Sequence, residues 1–198
     1  MFGMKKVANS DYFTGLGEGK ATAYTLISEV IEAHADEGMN RERFIALIRT
    51  EQESLQRFLL ALCCGNRDEA DDIAQDALVK AYLAIDKHED QGKDTAWLYR
   101  IAYNTFLDTS RSRRTLQPIE TLNEQPDSSF AADRDFRYQP LYMALEQLPP
   151  KERSAILLYY IKGYSVHEIA DIVAATEDAI KQQLSRGRNK LKTLLKDE

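Results

Sequence analysis

The sequence predicts an all-α protein made of two small helical domains joined by a flexible linker. After residue 40, apolar residues recur at three-and-four spacing through most of the chain, as on the buried face of a helix. No stretch shows the apolar–polar alternation of a strand. Residues 115–138 contain two prolines and lack a core-forming pattern, which is typical of a linker. We therefore divide the chain into an N-terminal extension without an assigned role (1–39), a first helical domain (40–114), the linker (115–138) and a second helical domain (139–198).

The composition is that of an ordinary globular protein. Of the 198 residues, 43% are hydrophobic and 29% are charged, which is enough apolar material for a sizeable core. The longest apolar run, 155–161, is far too short to cross a bilayer, so we expect a cytoplasmic protein without membrane insertion. Cys63 and Cys64 are adjacent, a spacing that suits neither an ordinary disulfide nor a metal site, and we expect small buried hydrophobes.

The charges are segregated along the chain. The formal net charge of −6 argues on its own against a general affinity for nucleic acid. However, residues 68–76 hold five acidic and no basic side chains, whereas residues 181–196 hold six basic and no acidic ones. The net charge is therefore an average over segments of opposite charge, for which different functions are expected.

Three helices are predicted in the first domain. The first begins at Asn40 and continues until Gly65 ends its apolar pattern. Asn66, with a glutamate three residues later, resembles the cap that begins a second helix, whose apolar stripe is rich in alanine. After a polar loop at 86–94, a third helix begins at about Thr95 and ends in a cluster of arginines.

The second domain contains the pattern of a helix-turn-helix. Ser165 and Glu168 form a capping box that begins a short helix, and a three-residue break separates this helix from a basic one. The small Ala170 lies where the two helices would cross. Polar and basic residues that can bond base edges and phosphates in a major groove face outward on the basic helix, namely Lys181, Gln182, Gln183, Ser185 and Arg186. Taken alone, this pattern also fits a short structural hairpin of helices.

The third helix of the first domain carries a second candidate surface for DNA. Residues opposite its apolar side recur at three-and-four spacing, namely Arg100, Tyr103, Asn104, Leu107, Arg111 and Arg114. Arginines pair with phosphates and aromatic rings stack on unpaired bases, so this set suits single-stranded DNA. Trp97 and Tyr99 fit stacking on bases and packing in the core equally well.

Three segments together resemble the extracytoplasmic-function (ECF) sigma factors of bacterial RNA polymerase. Residues 71–82 (DDIAQDALVKAY) look like the polymerase-binding helix of that family, and residues 95–104 (TAWLYRIAYN) like its promoter-melting helix. Residues 148–153 (LPPKER), followed by the helix-turn-helix and by LSRGR at 184–188, are similar to its C-terminal domain. The resemblance implies that the first domain is sigma region 2 and the second is sigma region 4.

The resemblance also implies roles for individual side chains. The polymerase-binding residues would be Asp72, Gln75, Asp76 and Lys80. The residues at the minus-ten element would be Lys93, Trp97, Arg100, Tyr103, Asn104, Arg111 and Arg114. The residues at the minus-thirty-five element would be Thr176, Lys181, Gln182, Gln183, Ser185, Arg186 and Arg188. The expected partners are core RNA polymerase, promoter DNA and an anti-sigma factor, with no cofactor, metal or small-molecule substrate.

The sequence departs from the family pattern at several of these sites. The resemblance implies that the loop from His88 to Ala96 holds a flipped base, and Lys93 and Asp94 stand where an aromatic residue often anchors that loop. Ala174 occupies the turn position usually given to glycine, where a left-handed residue would cost about 1–2 kcal/mol. Gln182 and Gln183 replace the commoner serine and arginine, from which we expect an altered promoter preference.

Other classes of function fit the sequence less well. The glycine-rich stretch that ends at Lys20 lacks the glycine spacing of a phosphate loop and the Ser or Thr after its lysine. Asp68, Asp72 and Asp76 share one helix face, but no second carboxylate helix is available to complete a metal site. We expect no enzymatic activity. Two binding alternatives stay open, namely a sigma-like mimic that sequesters an anti-sigma factor and a helix-turn-helix regulator that acts without polymerase.

Overall fold

A computed structural model of the chain describes residues 39–88, 93–116 and 139–195. All regular structure in these ranges is helical, which confirms the predicted all-α class. The predicted extension up to residue 38 and the predicted linker from residue 117 lie outside the described residues. The helices are α1 (Met39–Leu62), α2 (Arg67–Ala84), α3 (Asp94–Leu116), α4 (Gln139–Glu146), α5 (Pro150–Tyr160), α6 (Val166–Val173) and α7 (Glu177–Leu194), with a 3-10 turn (Ile85–Lys87) after α2.

The first domain consists of α1, α2 and α3 packed around one core. Phe44, Leu55 and Phe58 on α1 are completely buried, as are the alanines of the stripe on α2. An alanine stripe projects only methyl groups, so the helices that pack on it can approach closely. Cys63 is buried and Cys64 is half-buried, and both are free thiols. Burial raises the pKa of Cys64 to about 11, as expected for a thiol that packs in a core.

The turn between α1 and α2 depends on Gly65. Its φ of 88° lies in the left-handed region that favours a residue without a Cβ. A Cβ at this position would also lie 3.0 Å from Cδ2 of Tyr142, so the glycine lets α4 approach the turn. Asn66 then caps α2 as predicted, because its Oδ1 accepts a hydrogen bond from the N–H of Glu69 at 3.1 Å.

The second domain consists of α4 to α7, with α5 at its centre. Pro150 stands in the first turn of α5, where the missing N–H of proline costs nothing. Six consecutive residues of α5, from Arg153 to Leu158, are buried, because the helix packs against α7 on one side and α1 on another. Gly187 of α7 makes room for α5, since a Cβ there would lie 2.9 Å from Cγ1 of Ile156.

The two domains pack against each other, which the sequence pattern did not predict. Lys162 of the second domain lies 3.0 Å from Oε2 of Glu51 and donates a hydrogen bond to Oγ of Ser54 at 2.6 Å. The ion pair is largely shielded from water, since the Lys162 and Glu51 side chains are 12% and 16% exposed. The Lys162 ammonium also lies 4.7 Å from the ring centre of Tyr99, and that ring meets Tyr164 edge-on.

Arg153 donates hydrogen bonds to main-chain carbonyls at the C-terminal ends of two helices at this interface. It is 9% exposed, and its guanidinium donates to the main-chain carbonyl of Leu62 at 2.7 Å, where α1 ends. Three further bonds reach the carbonyls of Leu145 at 2.9 Å, Glu146 at 3.3 Å and Leu148 at 3.1 Å, at and just after the end of α4. Carbonyls at helix C-termini lack helical partners, so a single arginine satisfies the ends of two helices from different domains.

Candidate nucleic-acid interface

The helix-turn-helix predicted in the second domain is formed by α6 and α7. Ser165 and Glu168 make the complete capping box, with Oε2 of Glu168 accepting the N–H of Ser165 at 2.8 Å. Hydrogen bonds from the Ser165 hydroxyl and N–H hold the pKa of Glu168 below its ordinary value. Ala174 in the turn has φ 52° and ψ 54°, which is the left-handed conformation that its position predicts.

The outer face of α7 presents the polar and basic side chains. Ile180, Leu184 and Gly187 are buried against the rest of the domain. The exposed residues of the predicted set are Thr176, Lys181, Gln182, Ser185, Arg186 and Arg188, and Gln183 is half-buried. Thr176 caps the helix, because its hydroxyl accepts the N–H of Ala179 at 3.2 Å. The structure thus gathers this candidate set on one side of one helix.

The candidate minus-ten residues on α3 are only partly on its surface. Arg100, Asn104 and Arg111 are exposed, whereas the side chain of Arg114 lies outside the described residues. The placement of Tyr103 on the outer side was wrong, since it is 3% exposed. It belongs to the buried core, its phenol hydrogen-bonds Ser154 of α5, and burial raises the pKa of that phenol. Tyr99 is also completely buried, so it packs in the core.

Two of the candidate minus-ten cations contact the second domain. Arg100 donates from Nη2 to the main-chain carbonyl of Asp171 on α6. Lys93 is 3.5 Å from Oδ2 of the same aspartate. Both side chains retain exposed surface, but Asp171 competes for them with any phosphate that approaches α3.

A compact cluster that the sequence pattern missed surrounds the start of α3. Arg43 of α1 donates through Nε to Oδ2 of Asp94 at 2.7 Å and through Nη2 to Oδ1. Nε2 of His88 lies 2.8 Å from the same Oδ1. Burial raises the pKa of Asp94, but the hydrogen bonds from Arg43 and then His88 outweigh it and hold the pKa below 3.8. Nothing in the apolar pattern of α1 marks Arg43, because its partner lies on another helix.

The imidazole of His88 lies flat on the indole of Trp97. The ring centres are 4.2 Å apart and the planes are inclined by 14°. Trp97 is half-buried and packs against the core of the first domain. Residues 89–92 of the predicted flipped-base loop, 88–96, lie outside the described residues. The stack pairs the first residue of this loop, His88, with the residue that follows it, Trp97.

The acidic surface predicted on α2 is solvent-exposed. Asp72, Gln75 and Asp76 all face outward, opposite the alanine stripe. Lys80 is exposed as well but leans towards α3, where its Nζ lies 3.2 Å from Oγ1 of Thr105. The sequence pattern did not single out two large apolar side chains on the outer part of the same helix, namely Val79 at 49% and Leu83 at 72% exposure.

Metal and membrane features are not found in the part of the chain that the structure describes. There, no three His, Cys, Asp or Glu side chains are grouped closely enough to hold a metal ion. None of the described helices combines the length and the apolar character that crossing a membrane requires.

Comparisons with known proteins match both domains. The family model for Sigma-70 region 2 matches residues 47–115, and that for Sigma-70, region 4 matches residues 138–191. The ECF RNA polymerase sigma factor EcfG of Rhodopseudomonas palustris is 32% identical over 148 residues, which are 72% of this chain and 79% of EcfG. SigW of Bacillus subtilis, also an ECF RNA polymerase sigma factor, is 31% identical over 67% of this chain and 79% of its own length.

A solved structure shows the same fold. The sigma factor RpoE of Bartonella quintana, in complex with the anti-sigma factor NepR, superposes with a TM-score of 0.65 at 30% identity. The superposition covers 78% of this chain and 98% of that chain, so both domains take part in it. The helix-turn-helix, the matches to regions 2 and 4, and the identity to EcfG and SigW lead to one conclusion: the chain belongs to the ECF RNA polymerase sigma factors.

Proposed function

We propose that three exposed surfaces of this sigma factor each bind a different partner. The outer face of α2 binds core RNA polymerase, α3 and the loop before it bind the opened minus-ten element, and the outer face of α7 reads the minus-thirty-five element. The observation that carries the proposal is the geometry of α7, which buries Ile180 and Leu184 and exposes its basic side chains on the outer surface, where a helix can enter a major groove.

The chemistry of two of these surfaces, on α7 and α2, supports their assignments. Lys181 and Arg186 provide positive charge for phosphates or guanine, and the neighbouring glutamines can pair with adenine. On α2, Asp72 and Asp76 lie beside exposed apolar side chains, a combination typical of a protein interface with charge complementarity. The partner surface is expected to be basic.

The proposed activity consists of binding and positioning, without chemistry of its own. Strand opening would draw on the capture of unpaired bases, each worth about 1–3 kcal/mol when it stacks on an aromatic ring. Because polymerase and chromosome are in the cytoplasm, we expect the chain to act there. We also infer an anti-sigma factor as a partner, since the RpoE relative was solved in complex with one.

Transcription reconstituted from purified core polymerase tests the proposed function. Adding the chain should yield promoter-specific transcripts, whereas a sigma-like mimic would yield none and an independent regulator would bind its DNA equally well without polymerase. Transcripts that do not depend on the added chain, or their absence on promoters selected from cells that overproduce it, would overturn the proposal.

The division of labour is tested by Lys181→Ala combined with Arg186→Ala. Loss of two DNA-facing charges should weaken promoter recruitment by about tenfold or more and leave core binding unchanged. The matched control is Arg57→Ala with Lys151→Ala, which removes the same charge from exposed positions on other helices. Promoter affinity and core affinity are measured separately, and an equal loss of both would contradict the assignment.

A further inference from the structure

We propose that Glu177 of α7 reads a cytosine in the minus-thirty-five element by accepting a hydrogen bond from the amino group of that base. His167 of α6 positions the Glu177 carboxylate for this contact. The inference rests on the proposed function, because it requires the outer face of α7 to lie in the major groove of that element. It adds two residues, one of them acidic, to a surface for which the sequence pattern indicates only basic and neutral side chains.

Glu177 begins the exposed stripe of α7 that carries three of the candidate minus-thirty-five residues. It lies one helical turn before Lys181, and Ser185 and Arg188 continue along the same side of the helix at four- and three-residue spacing. All four side chains are exposed. In helix-turn-helix proteins, the N-terminal residues of the second helix contact base edges. As the first residue of α7, Glu177 therefore lies where a base is expected.

The Glu177 carboxylate is held by a histidine from the other helix of the motif. Nδ1 of His167 lies 3.1 Å from Oε1 of Glu177. Because a carboxylate only accepts hydrogen bonds, the imidazole must carry a proton on Nδ1 and donate it to this contact. Nε2 of the same ring lies 3.9 Å from Oδ2 of Asp171, so carboxylates flank the imidazole on two sides. This arrangement fixes which oxygen of Glu177 faces α6.

The second oxygen of Glu177 is accessible to a base. Nζ of Lys181 lies 3.9 Å from this Oε2, which is too long for a hydrogen bond, and is closer to Oδ1 of Asp178 at 3.3 Å. Lys181 thus offsets the negative charge of Glu177 near phosphates without occupying Oε2. The Glu177 side chain is 49% exposed, so a base edge can approach it.

The base edges in a major groove offer a carboxylate few partners. Guanine presents two acceptors there and thymine presents an acceptor and a methyl group, so neither can donate to Glu177. The donors are the amino groups of cytosine and adenine. On adenine the amino group stands beside the N7 acceptor, which repels a carboxylate, whereas cytosine presents its amino group alone. Glu177 therefore favours cytosine.

Selection from randomised minus-thirty-five elements tests the proposal. Holoenzyme assembled from core polymerase and the full chain selects DNA from a promoter library in which only this element varies. Wild type should enrich cytosine at one position, and Glu177→Gln should lower the preference for cytosine there by about tenfold. The reason is that the His167 N–H retains the amide oxygen, so the amide nitrogen replaces Oε2 and presents a donor to the cytosine amino group. The matched control is Glu146→Gln, the same change at an exposed position on α4.

Two substitutions of His167 test its positioning role. His167→Ala removes the donor and should lower the preference for cytosine about twofold to fivefold. His167→Asn should restore the preference, because the asparagine amide nitrogen can take the place of Nδ1 and donate to Oε1. If His167 served only the stability of the domain, thermal unfolding would change and the base preference would stay as in wild type, which would overturn the positioning role.

The alternative role for Glu177 is to stabilise α7, since a negative charge at a helix N-terminus is favourable. That role predicts that Glu177→Gln unfolds at a lower temperature and selects the same bases as wild type, and this result overturns the proposal. Wild-type selection without cytosine at any position overturns it as well. The proposed function fails separately, if wild-type holoenzyme enriches no sequence in the randomised element. An enriched sequence on which Glu177→Gln has no effect refutes only the reading by Glu177.

Discussion

At the scale of single residues, the left-handed turn of the helix-turn-helix carries a local steric cost. Ala174 adopts φ 52° where glycine would be free of steric strain. Ala174 is the residue at which α6 ends, so its conformation sets the direction in which the chain continues to α7. The cost was foreseeable through the family resemblance, since Ala174 occupies the turn position that the family usually gives to glycine.

Replacing Ala174 by glycine should stabilise the protein. Relief of the left-handed strain exceeds the extra flexibility that glycine gives the unfolded chain, for a net gain of about 0.5–1 kcal/mol. Urea unfolding followed by circular dichroism measures the change. Ala175→Gly serves as the control, because Ala175 does not have a positive φ and the same substitution there should destabilise. Equal effects at both positions would contradict the explanation.

Tyr103 shows where single-residue inference fails. Its spacing from Arg100 and Arg111 fits an exposed face, yet the ring is buried because it lies at the edge of the apolar stripe of α3. The Tyr103 phenol hydrogen-bonds Ser154 of α5, which belongs to the other domain, and no pattern within α3 encodes that contact. Helix periodicity gives the direction of a side chain, but its burial depends on what packs there.

At the scale of elements, helix beginnings were the most predictable features. Asn66 and Ser165 cap their helices as the sequence pattern indicates, since each cap involves residues only three positions apart. The start of α3 was predicted to within one residue, but its contact with Arg43 was not, because Arg43 and Asp94 are far apart in the chain. Capping is local chemistry, whereas that ion pair exists only after α1 and α3 have packed.

The Arg43–Asp94 pair should make stability depend on pH. The folded pKa of Asp94 lies below 3.8, so its contribution is complete above the unfolded pKa and disappears as pH falls through the folded value. Asp94→Asn removes the carboxylate, and wild type should exceed it in stability above about pH 5, with a difference that shrinks as pH falls through the folded pKa. Unfolding free energies across this range provide the measurement; a constant difference would show that charge plays no part.

At the scale of the whole molecule, the docked domains cannot reach both promoter elements together. If they form one compact unit, the described residues have a radius of gyration of about 14 Å and a width of about 36 Å. The minus-ten and minus-thirty-five elements are about 25 base pairs apart, which at about 3.4 Å each is about 85 Å. The proposed function therefore requires the domains to separate, and the docked arrangement belongs to a stage before promoter binding.

Charge reversal at the interface should open the docked arrangement. Lys162→Glu places a carboxylate beside Glu51 in a shielded site, where like charges repel strongly. The radius of gyration from small-angle X-ray scattering should increase, while the helix content stays unchanged. Lys151→Glu, at an exposed position, is the control. A compact Lys162→Glu variant would show that the ion pair does not hold the domains together.

The shielding of the Lys162–Glu51 pair affects how the molecule responds to ionic strength. Counterions screen exposed charges effectively but reach a largely covered pair much less, so added salt should leave the interdomain contact nearly intact. The same salt weakens the attraction between the basic face of α7 and phosphates steeply. At high ionic strength the chain should therefore dissociate from DNA while its two domains remain in contact.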